Sequence, residues 1–326
     1  MIRVAMMSKW HVHATDYLRE ANAHPEVEVA AVWDEDPARG RAFAREIGVP
    51  FYDSTSSLYR EADIDGVIVD TPTNMHPQII AEAIQNKKHV FSEKVLALNA
   101  SDAIHLTDLA HTSGVHLMLS LPRLCAPYTV YAESLLQEEA LGRVTSFRCR
   151  VAHDGSVPTD EHAQGWLPAH FYDPITCGGG ALIDLGAHPI YLSNRLAGPV
   201  RALSARLEAT LGHEVDDNAT VMIEYASGAL GLLESSFVSG GSPFLMEIHG
   251  TKGSLLIENE SARVRFGRGP LVAVNLPPER RSAMTQWVDA ILRDTAPEIT
   301  PDDMIELTRV NELAQQAHRE GRRVTR

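Results

Sequence analysis

Residues Gly178-Gly179-Gly180-Ala181-Leu182-Ile183-Asp184-Leu185-Gly186-Ala187-His188 place a carboxylate and an imidazole four positions apart behind a run of three glycines. If the segment is helical, positions i and i+4 share a face. The Asp184 carboxylate would then orient the His188 ring and favour its protonated form, which is how a general base is built. On these residues alone, a glycine loop leading into a solvated or merely structural Asp/His contact is the commoner reading.

More chemistry-bearing residues sit where short apolar runs stop. Gly66-Val67-Ile68-Val69-Asp70 closes on Thr71-Pro72-Thr73-Asn74-Met75-His76, and Lys88-His89-Val90-Phe91 closes on Ser92-Glu93-Lys94. In open α/β sheets ligands bind outside the carboxyl ends of the strands, which is where Thr71, Asn74, His76, Glu93 and Lys94 would lie. Read alone, Glu93-Lys94 is a charged pair at a strand end and His76 a helix-start residue before Pro77. Val32-Trp33-Asp34 ends a further run with an acid able to accept hydrogen bonds from a ribose diol; a turn acid before Pro37 is the alternative. The loop after the first run, Ser8-Lys9-Trp10-His11-Val12-His13-Ala14, has a side chain at every position where a dinucleotide loop carries G-x-G-x-x-G. His11 and His13 form an H-x-H pair, but no cysteine or third histidine stands nearby at ligand spacing, so no metal is expected.

These groups need a frame. From residue 1 to about 120, strand candidates Ile2 to Met7, Val27 to Trp33, Gly66 to Asp70, His89 to Phe91 and Val115 to Leu119 alternate with helical segments around Ala14 to Asn22, Pro37 to Ile47, Pro77 to Asn86 and Ser101 to Thr112. That alternation predicts a doubly wound parallel sheet. Beyond about Arg123 come longer runs, Arg143 to Ala152, Arg201 to Leu211, Ala219 to Tyr225, Ala229 to Phe237 and Phe244 to His249, separated by turn signals such as Ser239-Gly240-Gly241. The fold class expected is α/β, a Rossmann-type domain over 1–122 followed over 123–326 by an α+β domain with a large open mixed or antiparallel sheet. A length of 326 residues suits two domains. A net charge of −14 argues against nucleic acid or an anionic membrane surface as partner. No apolar run is long enough to span a bilayer. Three widely spaced cysteines, Cys125, Cys149 and Cys177, and a start without a secretory signal fit a cytoplasmic protein with reduced thiols.

The strand end Thr71-Pro72 with Asn74 and His76, the next strand end Glu93-Lys94, the glycine run before Asp184-x-x-x-His188, and the later pieces Asp217-Asn218-Ala219, Ser227-Gly228-Ala229 and Gly250-Thr251-Lys252-Gly253 together resemble the glucose–fructose oxidoreductase/inositol dehydrogenase (Gfo/Idh/MocA) family over nearly the whole chain. The resemblance implies a nicotinamide dinucleotide and hydride transfer at a hydroxyl carbon of a sugar, inositol or related polyol. It implies Lys94, Asp184 and His188 as the catalytic set: His188 the base, Asp184 its orienting partner, Lys94 a donor to the substrate oxygen. Ser8, Trp10, His11, Val12, Asp34, Thr71, Pro72, Asn74, His76, Glu93, Lys94 and Arg123 would line the cofactor site. An acid at Asp34 should repel a 2′-phosphate, so NAD is expected over NADP. Lys94, His153, Trp166, Asp184 and His188 would meet the substrate; Tyr191 would face the site or belong to the core. A homodimer or homotetramer follows by family analogy. Two departures stand out, Val95 where the family has proline after Glu-Lys, and the loop without glycines. They leave room for two other readings, a redox-neutral NAD-dependent glycoside-cleaving enzyme and a non-catalytic sugar or dinucleotide sensor.

Overall fold

Five short apolar runs, β1 (Ile2–Met7), β2 (Val27–Trp33), β3 (Gly66–Val69), β4 (His89–Ser92) and β5 (Leu117–Leu119), pair in parallel in the order β2-β1-β3-β4-β5. The computed structural model describes all 326 residues. β1 and β3 are buried almost without interruption, as expected of strands covered by helices on both faces. The intervening helices are Ala14–Ala23, Pro37–Ile47, Thr55–Glu61, His76–Gln85 and Ala100–Ser113. Local chemistry sets their ends. Asp36 accepts from the amides of Ala38 and Arg39, and Asn99 accepts from Asp102, while Gly48 and Gly114 close their helices at positive φ. The strand order reverses between β1 and β3, and that switch point opens the crevice at their carboxyl ends.

By contacts the chain divides into two units, Met1–Ser120 with Arg281–Ile305, and Leu121–Arg280 with Glu306–Arg326. The sequence reading left the Arg281–Ile305 stretch with the second domain. It packs in the first unit because its helix Ala283–Arg293 seats Trp287 on the sheet. That indole is fully buried, its ring centroid is 5.9 Å from that of Phe91, and its Nε1 donates to the His116 carbonyl.

The second unit is built on a nine-stranded sheet. Its strands are β6 (Val144–Ala152), β7 (Val200–Glu208), β8 (Asn218–Tyr225), β9 (Leu230–Ser236), β10 (Leu245–Gly250), β11 (Gly253–Glu258), β12 (Ser261–Phe266), β13 (Val272–Val274) and β14 (Val324–Thr325). They run in the order β13-β12-β11-β10-β6-β9-β8-β7-β14. Only β6 and β9 pair in parallel, so the sheet is mixed. β6 and β8 alternate buried and accessible residues, the mark of a sheet with one covered face. The helix Ala187–Ala197 packs on β6 and β9 and buries Ile190, Tyr191 and Leu192. No helix is long and apolar enough to cross a membrane.

Candidate functional site

In the first unit the ends of β1, β3 and β4 bring a cluster of ionisable groups together. β1 delivers Ser8, whose φ of 82° is the left-handed turn that a glycine would ordinarily take. The loop then folds on itself. The Lys9 amide donates to Asp34 Oδ2, the Trp10 amide to Ser8 Oγ, the His11 amide to the Asp70 carbonyl and the His13 amide to His11 Nδ1. Trp10 and His11 are buried, whereas Val12 is exposed. Four of the loop amides, those of Lys9, Trp10, His11 and His13, are therefore already bonded.

Asp34, at the end of β2, is also committed. Its carboxylate accepts from Lys9 N and Asp36 N, and Arg39 grips both oxygens, Nη2 at 2.6 Å and Nε at 2.9 Å. Arg39 also reaches Ser8 Oγ at 3.3 Å. Ribose hydroxyls, expected at Asp34, would have to displace this guanidinium. The clamp lies one helical turn beyond the strand end, and the Asp36 cap that starts the helix was the signal in the sequence for it.

At the other strand ends, Glu93 and Lys94 are buried and paired, Lys94 Nζ lying 3.7 Å from Glu93 Oε1. The Tyr17 hydroxyl donates to Glu93 Oε2, and His11 Nδ1 is 3.9 Å from the same oxygen. Burial opposes the charge on Glu93, but His11, Lys94 and His13 more than offset it and hold its pKa below the ordinary value. Asp70 is the opposite case. Burial, with Glu93 and Asp16 as like-charged neighbours, pushes its carboxyl well up, and neither of its oxygens has a hydrogen-bond partner. Thr71 is buried with its hydroxyl unbonded, and Asn74 is exposed. His76 was expected at the cofactor. Its ring is buried between the Val95 carbonyl (Nδ1, 2.7 Å) and the Thr71 carbonyl (Nε2, 3.1 Å), tying the ends of β3 and β4 together. Val95, in place of the family's proline, is buried, and the Lys94–Val95 peptide is cis. Tyr17, Asp16 and Arg39 were not singled out from the sequence; Tyr17 meets Glu93 from a remote strand end, whereas Asp16 and Arg39 have near neighbours in sequence, His13 and Asp34, as partners.

In the second unit the glycine run is shaped by Asp216, whose carboxylate accepts from the amides of Gly180 and Leu182 at 3.0 and 2.7 Å. Gly178 ends the short helix Pro174–Cys177 at φ 77°. A Cβ at Gly180 would collide with the Asp216 carbonyl. The helix expected to carry both Asp184 and His188 begins only at Ala187; Asp184 lies in the turns over 181–186. The glycines and the Asp216 clamp favour a coiled path there over regular helix. His188 Nδ1 is 2.8 Å from the Tyr191 hydroxyl, which also accepts from the Arg123 amide at 3.1 Å. Tyr191 is thus both core, with no exposed surface, and a partner of His188. The Arg123 guanidinium lies 4.4 Å from the Phe244 ring centroid and donates to the Tyr128 hydroxyl at 3.0 Å.

The expected substrate loop forms an aromatic stack in the same unit. His153 lies flat on Phe237 at 5.2 Å and 9°, Trp166 packs on His153 at 4.7 Å, and Trp166 Nε1 donates to Asp154. Leu167, Phe171, Ala181 and Phe237 anchor the loop as a small core cluster. Trp166 remains half-exposed.

Residues 10–121 match a family model described as an oxidoreductase family with an NAD-binding Rossmann fold, and residues 129–256 match the GFO/IDH/MocA C-terminal domain. The chain is 27% identical over 256 residues to levoglucosan dehydrogenase of Pseudarthrobacter phenanthrenivorans, an alignment covering 70% of this chain and 64% of that relative. It is 28% identical over 313 residues to dTDP-3,4-didehydro-2,6-dideoxy-alpha-D-glucose 3-reductase of Saccharopolyspora spinosa, covering 91% of each. Among solved structures, GenD2 from gentamicin A biosynthesis, in complex with NAD, is 27% identical with a TM-score of 0.84, covering 100% of this chain and 96% of that one.

Proposed function

Since the chain belongs to the Gfo/Idh/MocA family of oxidoreductases, we propose that it is an NAD-dependent dehydrogenase of a sugar, inositol or related polyol. The observation that carries this reading is the buried Glu93–Lys94 pair at the carboxyl end of β4, a lysine held dry beside a carboxylate where a doubly wound sheet binds its ligands. Resemblance to a levoglucosan dehydrogenase and a dideoxyglucose 3-reductase supports the substrate class.

The first unit fits a dinucleotide in its sheet order and in the left-handed turn at Ser8. With four of the loop amides committed, Ser8 and Arg39 are the groups that would hold its phosphate and ribose end. The nicotinamide, when bound, supplies the hydride acceptor. Lys94 donates a hydrogen bond to the substrate oxygen and stabilises alkoxide character as the proton departs. His188 takes that proton. In the tautomer that donates Nδ1–H to the Tyr191 oxygen, Nε2 is the basic nitrogen. Asp184 supports the imidazolium that results. The half-exposed Trp166, braced by His153, offers a flat face for the C–H side of a sugar ring.

The test is turnover. Sugars and inositols are screened with NAD, and Lys94→Ala and His188→Ala are assayed on the best substrate. Each should lower kcat on the order of 10²-fold or more. Near-wild-type turnover in either variant would remove that residue from the mechanism.

A further inference from the structure

We propose that His11, His13 and Glu93 form a binding site for a divalent transition-metal ion, zinc being the best chemical match, at the carboxyl end of the parallel sheet. One ligand atom from each of the three residues lies within 4.8 Å of the others. Two imidazoles and a carboxylate are the donor set of three-ligand zinc sites that keep a fourth position open, whereas magnesium and calcium favour all-oxygen sets. Bond lengths of about 2.0–2.2 Å put tetrahedral neighbours roughly 3.3 Å apart, so the cluster needs to contract by roughly 1.5 Å at its widest. Side-chain rotations on a loop residue and a strand-end glutamate can supply that.

The surroundings are arranged as the outer shell of such a site would be. His13 Nδ1 is 3.0 Å from Asp16 Oδ2, the carboxylate–histidine contact that fixes a ligating tautomer and presents Nε2. The Tyr17 hydroxyl holds Glu93 Oε2. A second, independent observation points to a missing cation. Glu93 Oε1 has no hydrogen bond, only the Lys94 ammonium 3.7 Å away, and both carboxylate oxygens of Asp70, a residue with no exposed surface, are unbonded and have no ion pair. Buried acceptors left without donors are costly; a dication beside them removes that cost. The H-x-H pair alone offers two ligands, and the third arrives only when β4 is laid beside β3. The proposal does not depend on the dinucleotide reading, which calorimetry with NAD on metal-free protein tests separately.

The experiment uses the full chain stripped with a chelator. Zinc is titrated by calorimetry, and cobalt is added to read the coordination number from its visible spectrum. The expected result is one equivalent bound at micromolar or tighter Kd with an intense four-coordinate cobalt spectrum. His13→Ala and Glu93→Gln should each weaken binding at least 100-fold, while His105→Ala, on the exposed face of a helix, leaves it unchanged. Binding no tighter than millimolar, a six-coordinate cobalt spectrum, or folded His13→Ala and Glu93→Gln proteins with undiminished affinity would each overturn the site. Should a variant fail to fold, the cobalt spectrum of the unaltered protein decides.

Discussion

Tyr191→Phe removes one oxygen and leaves the ring, so it isolates what the hydroxyl does. That oxygen accepts the Arg123 amide at 3.1 Å and meets His188 Nδ1 at 2.8 Å, within a side chain that has no exposed surface. Phenylalanine would orphan both partners. A buried group left unpaired costs about 1–3 kcal/mol. The Arg123 amide bears most of it, since the half-buried His188 can recruit water. For a unit of this size each kcal/mol moves the midpoint by roughly 2–4 °C, so the thermal transition of the second unit should fall by roughly 2–12 °C. The His188 ring should also lose its fixed tautomer. Selective ¹⁵N labelling of histidine reads that directly, as a shift from one dominant tautomer to a mixture. In turnover the loss should appear in kcat, about tenfold for each 1.4 kcal/mol, with KM little changed. An unchanged midpoint together with an unchanged tautomer would refute the argument that this hydroxyl positions the base.

Gly180→Ala should destabilise the second unit by about 1–3 kcal/mol, because its Cβ would strike the Asp216 carbonyl, and denaturant midpoints measure it. Asp34→Ala frees the Arg39 guanidinium, so the affinity for NADP relative to NAD should rise at least tenfold by calorimetry; a constant ratio would show that Arg39 does not face the ribose. His89, stacked on His116 at 5.3 Å, is held at a pKa of about 4, by burial first and by His116 second. Its folded pKa lies below the ordinary histidine value of 6.5, so the stability it contributes is present above that value and is lost as pH falls from there toward 4. His89→Gln should flatten the acid limb of the stability profile in that window.

The frame was legible because its signals are local. Ile2 to Met7 and Val27 to Trp33 are the observed β1 and β2, and uninterrupted apolar runs between capped helices leave few alternatives to a parallel sheet. The first half of the closing sheet was legible through longer runs such as β6 and β8, whereas β11 to β13 are only six, six and three residues long and were not singled out. At the site, sequence could point to Glu93, Lys94 and His188 but could not assign their partners. Glu93 is held by Tyr17 from the first helix, His188 meets the Tyr191 hydroxyl, and the helix that carries His188 begins only after Asp184. Asp34 was read as an open acceptor because its competitor, Arg39, becomes one only once the Asp36-capped helix turns back over the strand end. Pairings that depend on where a remote element is laid down carry no signature in spacing.

The indole of Trp287 sits against β4 and β5 although it is encoded far downstream of them, and Gly66 leaves room for it. A ribosome that has released residues 1–120 has therefore not yet supplied the group that seals this face. The nascent nucleotide-binding half must wait, with apolar surface uncovered, until the polypeptide has emerged past residue 287. Expressed as an isolated fragment, it would be expected to need a chaperone or to aggregate.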